Sequence, residues 1–371
     1  MLPMDSALLD LADRIQAATA NATPLRIRGS GSKDFYGQAL QGEILDTRGL
    51  SGIVCYEPSE LFVTVRAGTP LLLLEAELAA QGQALAFEPP HFGPGATVGA
   101  MVACGLAGPA RAAAGGVRDH VLGVQMLNGN GELLCFGGQV MKNVAGYDVS
   151  RLMVGALGTL GLITQVSLKV LPRPLARATL RLEIDQAAAL RQLNVWAAQA
   201  LPINANCWVQ DAGAGRLTVR LGGAVAAVQA ALPAMGGERV DEATATPYWE
   251  AVREHTMPFF DRADGQCLWR LSVPDSCGVI GLHPGQGADL VEWGGALRWA
   301  KAPASAAQAL REVVSKVGGT ATLFRRAVAD RERQGEAFHP LPAPVERIHR
   351  ALKKQFDPAG IFNRARLYAD F

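Results

Sequence analysis

The chain has 371 residues, which is too long for one ordinary domain, and 49% of them are apolar, so two domains with substantial cores are expected. The formal net charge of +1 and the lack of a long Lys/Arg block exclude nucleic acid as the main partner. The six cysteines form no C-x-x-C pair, so zinc and iron–sulfur ligation are unsupported and no metal site is expected.

The pattern of apolar residues also bears on the compartment. Residues 1–14 carry three aspartates and lack the basic start and apolar run of a signal peptide. The sequence has no run of about 18 apolar residues, so no membrane span is expected. We therefore expect a cytoplasmic protein with reduced thiols, associated with a membrane only through partners.

The first part of the chain alternates helices and strands, which is typical of an α/β or α+β domain. Thr69 is the expected N-cap and Pro70 the first residue of a helix that ends at Gln81. The other elements predicted here are a helix at 6–18 and strands at 25–27, 44–46, 52–56, 62–66 and 84–87.

A glycine-rich turn, Arg28-Gly29-Ser30-Gly31-Ser32-Lys33, directly follows the first predicted strand. Main-chain N–H groups in such a turn can point inward and hold an anion such as a pyrophosphate. The spacing matches neither the dinucleotide-binding fingerprint nor the P-loop. A plain Gly-Ser surface loop explains the turn equally well.

Two further stretches favour close approach of a ligand to the backbone. In 88–105, prolines lead to Gly95 and Gly99, which flank Thr97 where a small-residue helix begins. Residues 105–116 are nearly all Gly, Ala and Pro, which predicts either a mobile loop or a wrap around a cofactor.

A hairpin is predicted at 121–136 with its turn at 128–131. The stretch 142–164 then runs through a polar turn and a short helix to Gly155, Gly158 and Gly161. A strand with period-two alternation follows at 162–170. These glycines indicate either a packing joint or close approach to a bulky ligand.

Pro172-Arg173-Pro174 predicts the boundary of the first domain. From 173 to 335 the pattern predicts an antiparallel sheet covered by helices, one of them a short helix at 248–255. A rigid proline-rich spacer at 340–344 leads into a helix with the apolar stripe Val345, Ile348, Leu352 and Phe356. That helix, within a third segment at 336–371, is expected to return to the first domain.

Five segments together resemble the FAD-binding domain of the vanillyl-alcohol-oxidase (PCMH) type, in that family's order and spacing. They are Arg28–Lys33, Pro89–Gly105, Gly116–Gly123, Lys142–Ile163 and Phe356–Asn363. Leu290–Trp299 is similar to the FAD-binding subunits of bacterial glycolate oxidases within that family. The resemblance implies an α+β fold, with a two-part PCMH-type FAD-binding domain at 1–172 and 336–371. The remaining residues, 173–335, would form an α/β cap domain with an antiparallel sheet.

The resemblance also implies FAD as the cofactor. Arg28 to Lys33 would hold the pyrophosphate, and Gly161 and Ile163 would approach the adenine-ribose end. The other residues implied to bind FAD are Pro89, Gly95, Thr97, Val98, Gly99, Ala103, Gly105, Ala107, Arg118 and Asn363. The chain departs from the family at Ala100, where relatives have glycine, and at Arg364-Ala365, which replaces Pro-Gly. Neither departure excludes binding.

Non-covalent FAD is expected because the Arg28–Lys33 turn has no His or Cys; His91 and Cys104 are the nearest such residues. The histidines are well separated and match no catalytic or metal cluster. No catalytic residue is therefore assigned. Arg298 and Arg364 are the only candidates for pairing with a substrate carboxylate, and salt bridges explain them equally well.

Three functions fit these observations. The first is an FAD-binding subunit of a glycolate oxidase complex, with a catalytic flavoprotein subunit and an iron–sulfur subunit as partners. The second is a self-sufficient FAD-dependent 2-hydroxy-acid oxidoreductase that uses Arg298 or a cap histidine. The third is a flavin-free structural subunit.

Overall fold

The computed structural model of the chain describes residues 5–139, 147–211, 213–281, 290–327 and 336–369. The polar turn predicted at 142–146 and His283 lie outside these residues. None of the described helices is long and apolar enough to cross a membrane.

The first part of the chain forms a five-stranded antiparallel sheet with a small parallel pair, β1–β2, beside it. Its elements are α1 (Ser6–Ala20), β1 (Leu25–Arg28), β2 (Glu43–Asp46), β3 (Ile53–Glu57), β4 (Phe62–Arg66), α2 (Leu71–Ala80), β5 (Gln83–Ala84), α3 (Val98–Cys104), α4 (Arg111–Ala114), α5 (Val117–His120), β6 (Val121–Leu127), β7 (Leu133–Gly137), α6 (Val149–Leu152), β8 (Leu162–Lys169) and β9 (Leu171–Pro172).

β8 lies at the centre of this sheet, whose strand order is β3-β4-β8-β6-β7. Gln165 and Lys169 are partly exposed, as the predicted alternation requires. Ile163 belongs to the same face of the strand by that alternation, but it is buried. Ile163 packs in the apolar core of the first domain, and it also lines a cleft between the sheet and the β1–β2 pair. The start of β8 therefore forms a wall of that cleft.

The cap is an eight-stranded antiparallel sheet with the order β13-β10-β12-β11-β15-β16-β14-β17. The elements from 173 onward are β10 (Ala176–Glu183), α7 (Gln186–Ala197), β11 (Ile203–Asp211), β12 (Ala214–Gly223), α8 (Val225–Met235), β13 (Glu238–Val240), α9 (Glu242–Glu254), β14 (Cys267–Ser272), β15 (Leu290–Glu292), β16 (Leu297–Ala302), α10 (Ala307–Ser315), β17 (Thr320–Arg325) and α11 (Ala343–Phe356).

The two faces of the cap sheet have different neighbours. Helices α7, α8 and α10 cover one face through side chains such as Leu190, Val228 and Leu310. The opposite face packs with α9 against the first domain, where Trp299 and Leu106 belong to one apolar cluster. Successive residues of a strand point to opposite faces. The position of a residue in its strand therefore decides whether its side chain can face the first domain.

Two helix starts differ from the sequence predictions. α2 begins at Leu71 with Pro70 as its N-cap, because the Thr69 hydroxyl donates to the Arg66 carbonyl instead of capping the helix. α9 begins at Glu242, where the prediction placed only a short helix from 248. The Asp241 carboxylate accepts the Thr244 N–H and caps the longer helix.

Helix α11 returns the chain to the first domain as predicted, but only its second half packs there. Leu352 and Phe356 contact the core of the first domain, whereas Val345 and Ile348 are exposed. Lys353 is buried and its ammonium donates to Asp357 Oδ2 at 2.6 Å and to the Phe362 carbonyl at 2.8 Å. This buried ion pair fixes the turn that follows the helix.

We expect Lys353→Met to lower the free energy of unfolding by about 3–5 kcal/mol, because it leaves the buried Asp357 carboxylate without its counter-ion. Equilibrium urea unfolding measures this loss. Lys354→Met is the matched control, since Lys354 is exposed on the same helix turn and should change stability by less than about 0.5 kcal/mol. Equal effects of the two substitutions would contradict the assignment.

Candidate functional site

A cleft of about 90 Å³ opens between the first domain's sheet and the β1–β2 pair. Its walls are the turn after β1, the start of α3, the segment from Leu157 to Ile163, and the C-terminal segment at Asn363 and Arg366. These elements come from both ends of the chain. The cleft therefore exists only when the C-terminal segment has returned to the first domain.

The turn after β1 has the geometry of an anion site. Gly31 adopts φ +84°, a left-handed conformation that favours glycine. Among the described residues, no backbone carbonyl accepts the N–H groups of Gly29, Ser30 or Gly31. Successive free N–H groups around a left-handed residue form a concavity that binds anions.

Close packing joins this turn to the start of α3. A Cβ on Gly29 would lie 2.5 Å from Thr97 Oγ1, so only glycine fits there. Thr97 is the N-cap of α3, and its hydroxyl accepts the Ala100 N–H at 3.4 Å. Thr97 thus positions the turn and the helix relative to each other, and it does not line the cleft.

Two polar side chains of the turn are buried at the cleft. The Ser32 hydroxyl is buried and has no hydrogen-bond partner among the described residues. Lys33 is 5% exposed, donates to the His91 carbonyl at 3.1 Å, and lines the cleft. Burial lowers the Lys33 pKa. An orphaned hydroxyl and a desolvated ammonium both favour binding of a phosphate oxygen.

Arg28 has a partner inside the turn. Its Nε donates to Asp34 Oδ2 at 2.8 Å, and its guanidinium covers the position that a Cβ on Gly31 would take. Lys33 is therefore the cation of the turn that is most deeply placed at the cleft.

Asn363 and Arg366 connect the C-terminal segment to the walls of the cleft. Asn363 Nδ2 donates to the Leu157 carbonyl at 2.6 Å, and its Oδ1 accepts the Ile27 N–H at 2.8 Å. Arg366 is 5% exposed and donates to the carbonyls of Gln38 and Asp34. Arg366 was not among the residues predicted from the sequence. Its position two residues beyond Arg364 was the only feature that could have indicated it.

The structure brings a subset of the predicted residues to the cleft. Those lining it are Arg28, Gly29, Gly31, Ser32, Lys33, Gly99, Ala103, Gly161, Ile163 and Asn363. Some of the others support the walls of the cleft: Ser30 contacts Gly95, Gly105 packs on Gly155, and Thr97 and Val98 are buried at the start of α3. The rest lie elsewhere. Pro89 is buried, Ala107 lines a second chamber that is described below, and Arg118 is exposed.

The two residues considered for covalent attachment lie in different places. Cys104 lines the cleft, and burial raises the pKa of its thiol to about 11, which disfavours the thiolate. The His91 ring points away from the cleft, with Nε2 3.0 Å from the Glu75 carboxylate. The Cys104 thiol stays protonated and His91 does not line the cleft, so the prediction of a non-covalent flavin stands as an expectation.

Arg298 and Arg364 do not lie where a substrate-binding role would need them. The Arg298 guanidinium donates to the carbonyls of Gly295, Gly278 and Cys277 at 2.5 to 3.0 Å, on the helix-covered face of the cap sheet. Arg364 donates to the carbonyls of Gly360 and Ala22. Neither side chain lines the cleft, so the structure gives both a structural role.

A second, smaller chamber of about 20 Å³ lies between the cap sheet and the first domain. Glu292 lines it, is 3% exposed, and accepts the Trp299 Nε1–H at 2.9 Å. Burial raises the pKa of Glu292 to about 7, against the opposing effects of that hydrogen bond and of Arg270. Cys207 and Tyr248 lie near Glu292, and both stay protonated because burial raises their pKa values.

Comparisons with known proteins agree with this geometry. Residues 8–137 match the family model described as "FAD binding domain". The chain is 46% identical over 360 residues to "Glycolate oxidase subunit GlcE" of Escherichia coli (strain K12), covering 97% of each chain. It is 31% identical over 184 residues to "Glycolate oxidase subunit GlcD" of Bacillus subtilis (strain 168), covering 48% of this chain and 39% of that one.

The fold is also found in solved structures. A crystal structure of alkyldihydroxyacetonephosphate synthase matches with a TM-score of 0.63 and 13% identity, covering 96% of this chain and 74% of that one. Fold and cleft thus define an FAD-binding flavoprotein of the vanillyl-alcohol-oxidase type with a cap domain. The chain belongs to the family of the glycolate oxidase subunit GlcE.

The residues at the cleft fit FAD. The free N–H groups and the buried Ser32 hydroxyl suit a pyrophosphate. Gly99 and Gly161 line the cleft, but a Cβ on Gly99 would overlap Ala67 and a Cβ on Gly161 would overlap Met126, so close packing of the walls requires both glycines. The family match confirms FAD as the cofactor of this domain, and the residues at the cleft are compatible with FAD.

We expect Gly31→Ala to weaken FAD binding at least tenfold, because a Cβ at φ +84° is strained and overlaps the Arg28 guanidinium. Titration of FAD followed by flavin fluorescence measures the affinity. Gly82→Ala is the control, since Gly82 has φ +65° with open space around it and lies away from the cleft. The assignment fails if both variants bind FAD as the native chain does.

We expect Glu292→Gln to stabilise the folded protein at pH 8 by on the order of 3 kcal/mol, with little effect near pH 4.5. The folded state holds the Glu292 proton up to about pH 7, whereas the unfolded chain releases it near pH 4.5. Stability therefore falls as pH rises between these values, and glutamine removes that loss. Urea unfolding at both pH values measures the difference; Glu238→Gln, exposed on the same sheet, is the control.

Proposed function

We propose that this chain is the FAD-binding subunit of a glycolate oxidase complex, and that its flavin passes on electrons from the oxidation of glycolate to glyoxylate. The observation that carries the proposal is 46% identity to the E. coli subunit over 97% of both chains. Bound FAD supplies a two-electron acceptor. The turn after β1, with Ser32 and Lys33, would hold its pyrophosphate.

The proposed partners are a catalytic flavoprotein subunit and an iron–sulfur subunit. Support for a partner comes from the E. coli relative, which is described as a subunit. Within the described residues, no group of three His, Cys, Asp or Glu side chains could hold a metal ion. In this proposal, electrons leaving the flavin pass to the iron–sulfur subunit. Association with a membrane would likewise come through the partners.

The test separates electron transfer from independent turnover. We expect the purified chain to bind FAD, and glycolate added without oxygen to leave its flavin absorbance unchanged. Adding the catalytic flavoprotein subunit should then allow glycolate to bleach both flavins. Bleaching of the isolated chain would instead favour a self-sufficient oxidoreductase, and failure to bind FAD would favour a structural subunit.

A complex assembled with the Gly31→Ala chain sharpens this test. Glycolate should still reduce the catalytic subunit's flavin, while reduction of the iron–sulfur subunit slows at least tenfold. The Gly82→Ala chain is again the control. Equal rates of iron–sulfur reduction in the two complexes would show that electrons bypass this chain, contrary to the proposal.

A further inference from the structure

Helix α2 presents an apolar side to solvent, the α2 face, which consists of Leu72, Leu73, Ala76 and Ala80. Leu72 is 51% exposed and Leu73 is 45% exposed. The opposite side of the helix is buried in the core of the first domain through Leu71, Leu74 and Leu78. A helix that is apolar on both of its sides is normally covered on both.

Exposed aliphatic side chains on two other helices have polar neighbours. Leu9 on α1 is 46% exposed, and Asp10 and Asp13 are exposed beside it. Val195 on α7 is 53% exposed, and Arg191 is exposed one helical turn before it. Single exposed apolar residues of this kind are ordinary, whereas a continuous apolar strip indicates an interaction site.

The charged residues of α2 itself are both acidic and lie on either side of the α2 face. On one side, the Glu75 carboxylate lies 3.0 Å from His91 Nε2. On the other side, burial and the charge of Glu77 raise the pKa of Tyr56, which places Glu77 next to β3. No Lys or Arg occurs anywhere from residue 67 to residue 82.

The charges next to the helix extend this pattern. Two further glutamates are exposed close to Tyr56 in the chain, Glu57 and Glu60. Arg173 lies beyond the C-terminal end of α2, where its N–H donates to the Gly82 carbonyl at 2.8 Å. A cation at that end complements the helix dipole and does not lie along the α2 face. The α2 face is therefore an apolar strip with acidic edges.

The α2 face is also close to the FAD cleft. Ala67 and Gly99 both line the cleft, and the Gly99 N–H donates to the Ala67 carbonyl at 2.7 Å. The Leu71 N–H donates to the Ala96 carbonyl at 2.7 Å, which fixes the start of α2 to the segment that leads into α3. Ala67 and Leu72 are five residues apart, so at most about 18 Å of chain separates the cleft wall from the α2 face.

We propose that the α2 face is the docking site for a partner chain whose contacting surface is apolar and edged by Lys or Arg. Charge selects this occupant. A second copy of this chain would bring acidic edges against acidic edges, and an anionic lipid surface would be repelled by the same glutamates. That the partner exchanges electrons with the bound flavin rests on the proposed function; the docking site rests on the apolar strip and its charges.

Calorimetric titration of the FAD-loaded full chain with each purified partner subunit, the catalytic flavoprotein and the iron–sulfur subunit, tests the proposal. We expect the double variant Leu72→Gln/Leu73→Gln to weaken binding to one of these subunits at least tenfold. The reason is that two half-exposed leucines can no longer be removed from water by the partner. Glutamine forms helices well, so α2 should stay folded, which thermal unfolding checks.

Leu9→Gln/Val195→Gln is the matched control, since these two residues have similar exposure on α1 and α7. It should leave both affinities within twofold of the native chain.

The acidic edge has its own test. Glu77→Lys should weaken the same binding at least threefold at low salt, and the difference should shrink as salt is added. Glu238→Lys, exposed on β13 of the cap, is the control for this charge reversal and should change neither affinity.

Three results would overturn the inference. The first is equal affinity of the native chain and the Leu72→Gln/Leu73→Gln chain for both partner subunits, which leaves the proposed function standing. The others are self-association of the native chain, or its binding to phosphatidylglycerol vesicles, that the double variant abolishes. A native chain that binds neither subunit rejects the proposed function together with the inference. Bleaching of the isolated chain by glycolate rejects the proposed function alone.

Discussion

The cleft depends on the hydrogen bonds that the Asn363 side chain makes to two distant segments. Its amide bridges the Ile27 N–H, in the strand before the anion-binding turn, and the Leu157 carbonyl, in the glycine-rich segment before β8. More than 200 residues separate Asn363 from Leu157. The buried Lys353–Asp357 pair fixes the turn that delivers Asn363 to this position. The FAD site is therefore completed only when the end of the chain has docked.

Charged contacts hold the cap against the segment that runs beside the cleft. One guanidinium nitrogen of Arg220, in the cap, donates to both carboxylate oxygens of Glu88 at 2.7 Å, and the Glu254 carboxylate accepts the N–H groups of His91 and Phe92. The Arg220 side chain is 7% exposed and those of Glu88 and Glu254 are 20% and 21% exposed, so these partly buried contacts are screened less by salt than surface pairs. The cap thereby fixes the prolines and Phe92 that separate the FAD cleft from the small chamber.

The cap sheet also decides which polar groups can act together. Strand alternation sends Arg298 to the helix-covered side, where backbone carbonyls take its hydrogen bonds, and leaves Arg270 on the side of the first domain. A shift of one residue in register would exchange these roles. The chemistry available beside the flavin therefore follows from strand pairing rather than from the presence of an arginine in a motif.

Local patterns in the sequence determined most of the elements and the class of the first domain. The turn at Arg28–Lys33, the small-residue helix that begins at Thr97 and the start of β8 were recognisable because each depends on neighbouring residues: glycine freedom, small side chains and alternation. The tertiary structure alone decided which residues meet. It brought Arg366 to the cleft, left Arg118 exposed, and placed Arg270 and His255 in one chamber. Those arrangements depend on contacts between residues far apart in the chain and on the register of paired strands, which no local pattern encodes.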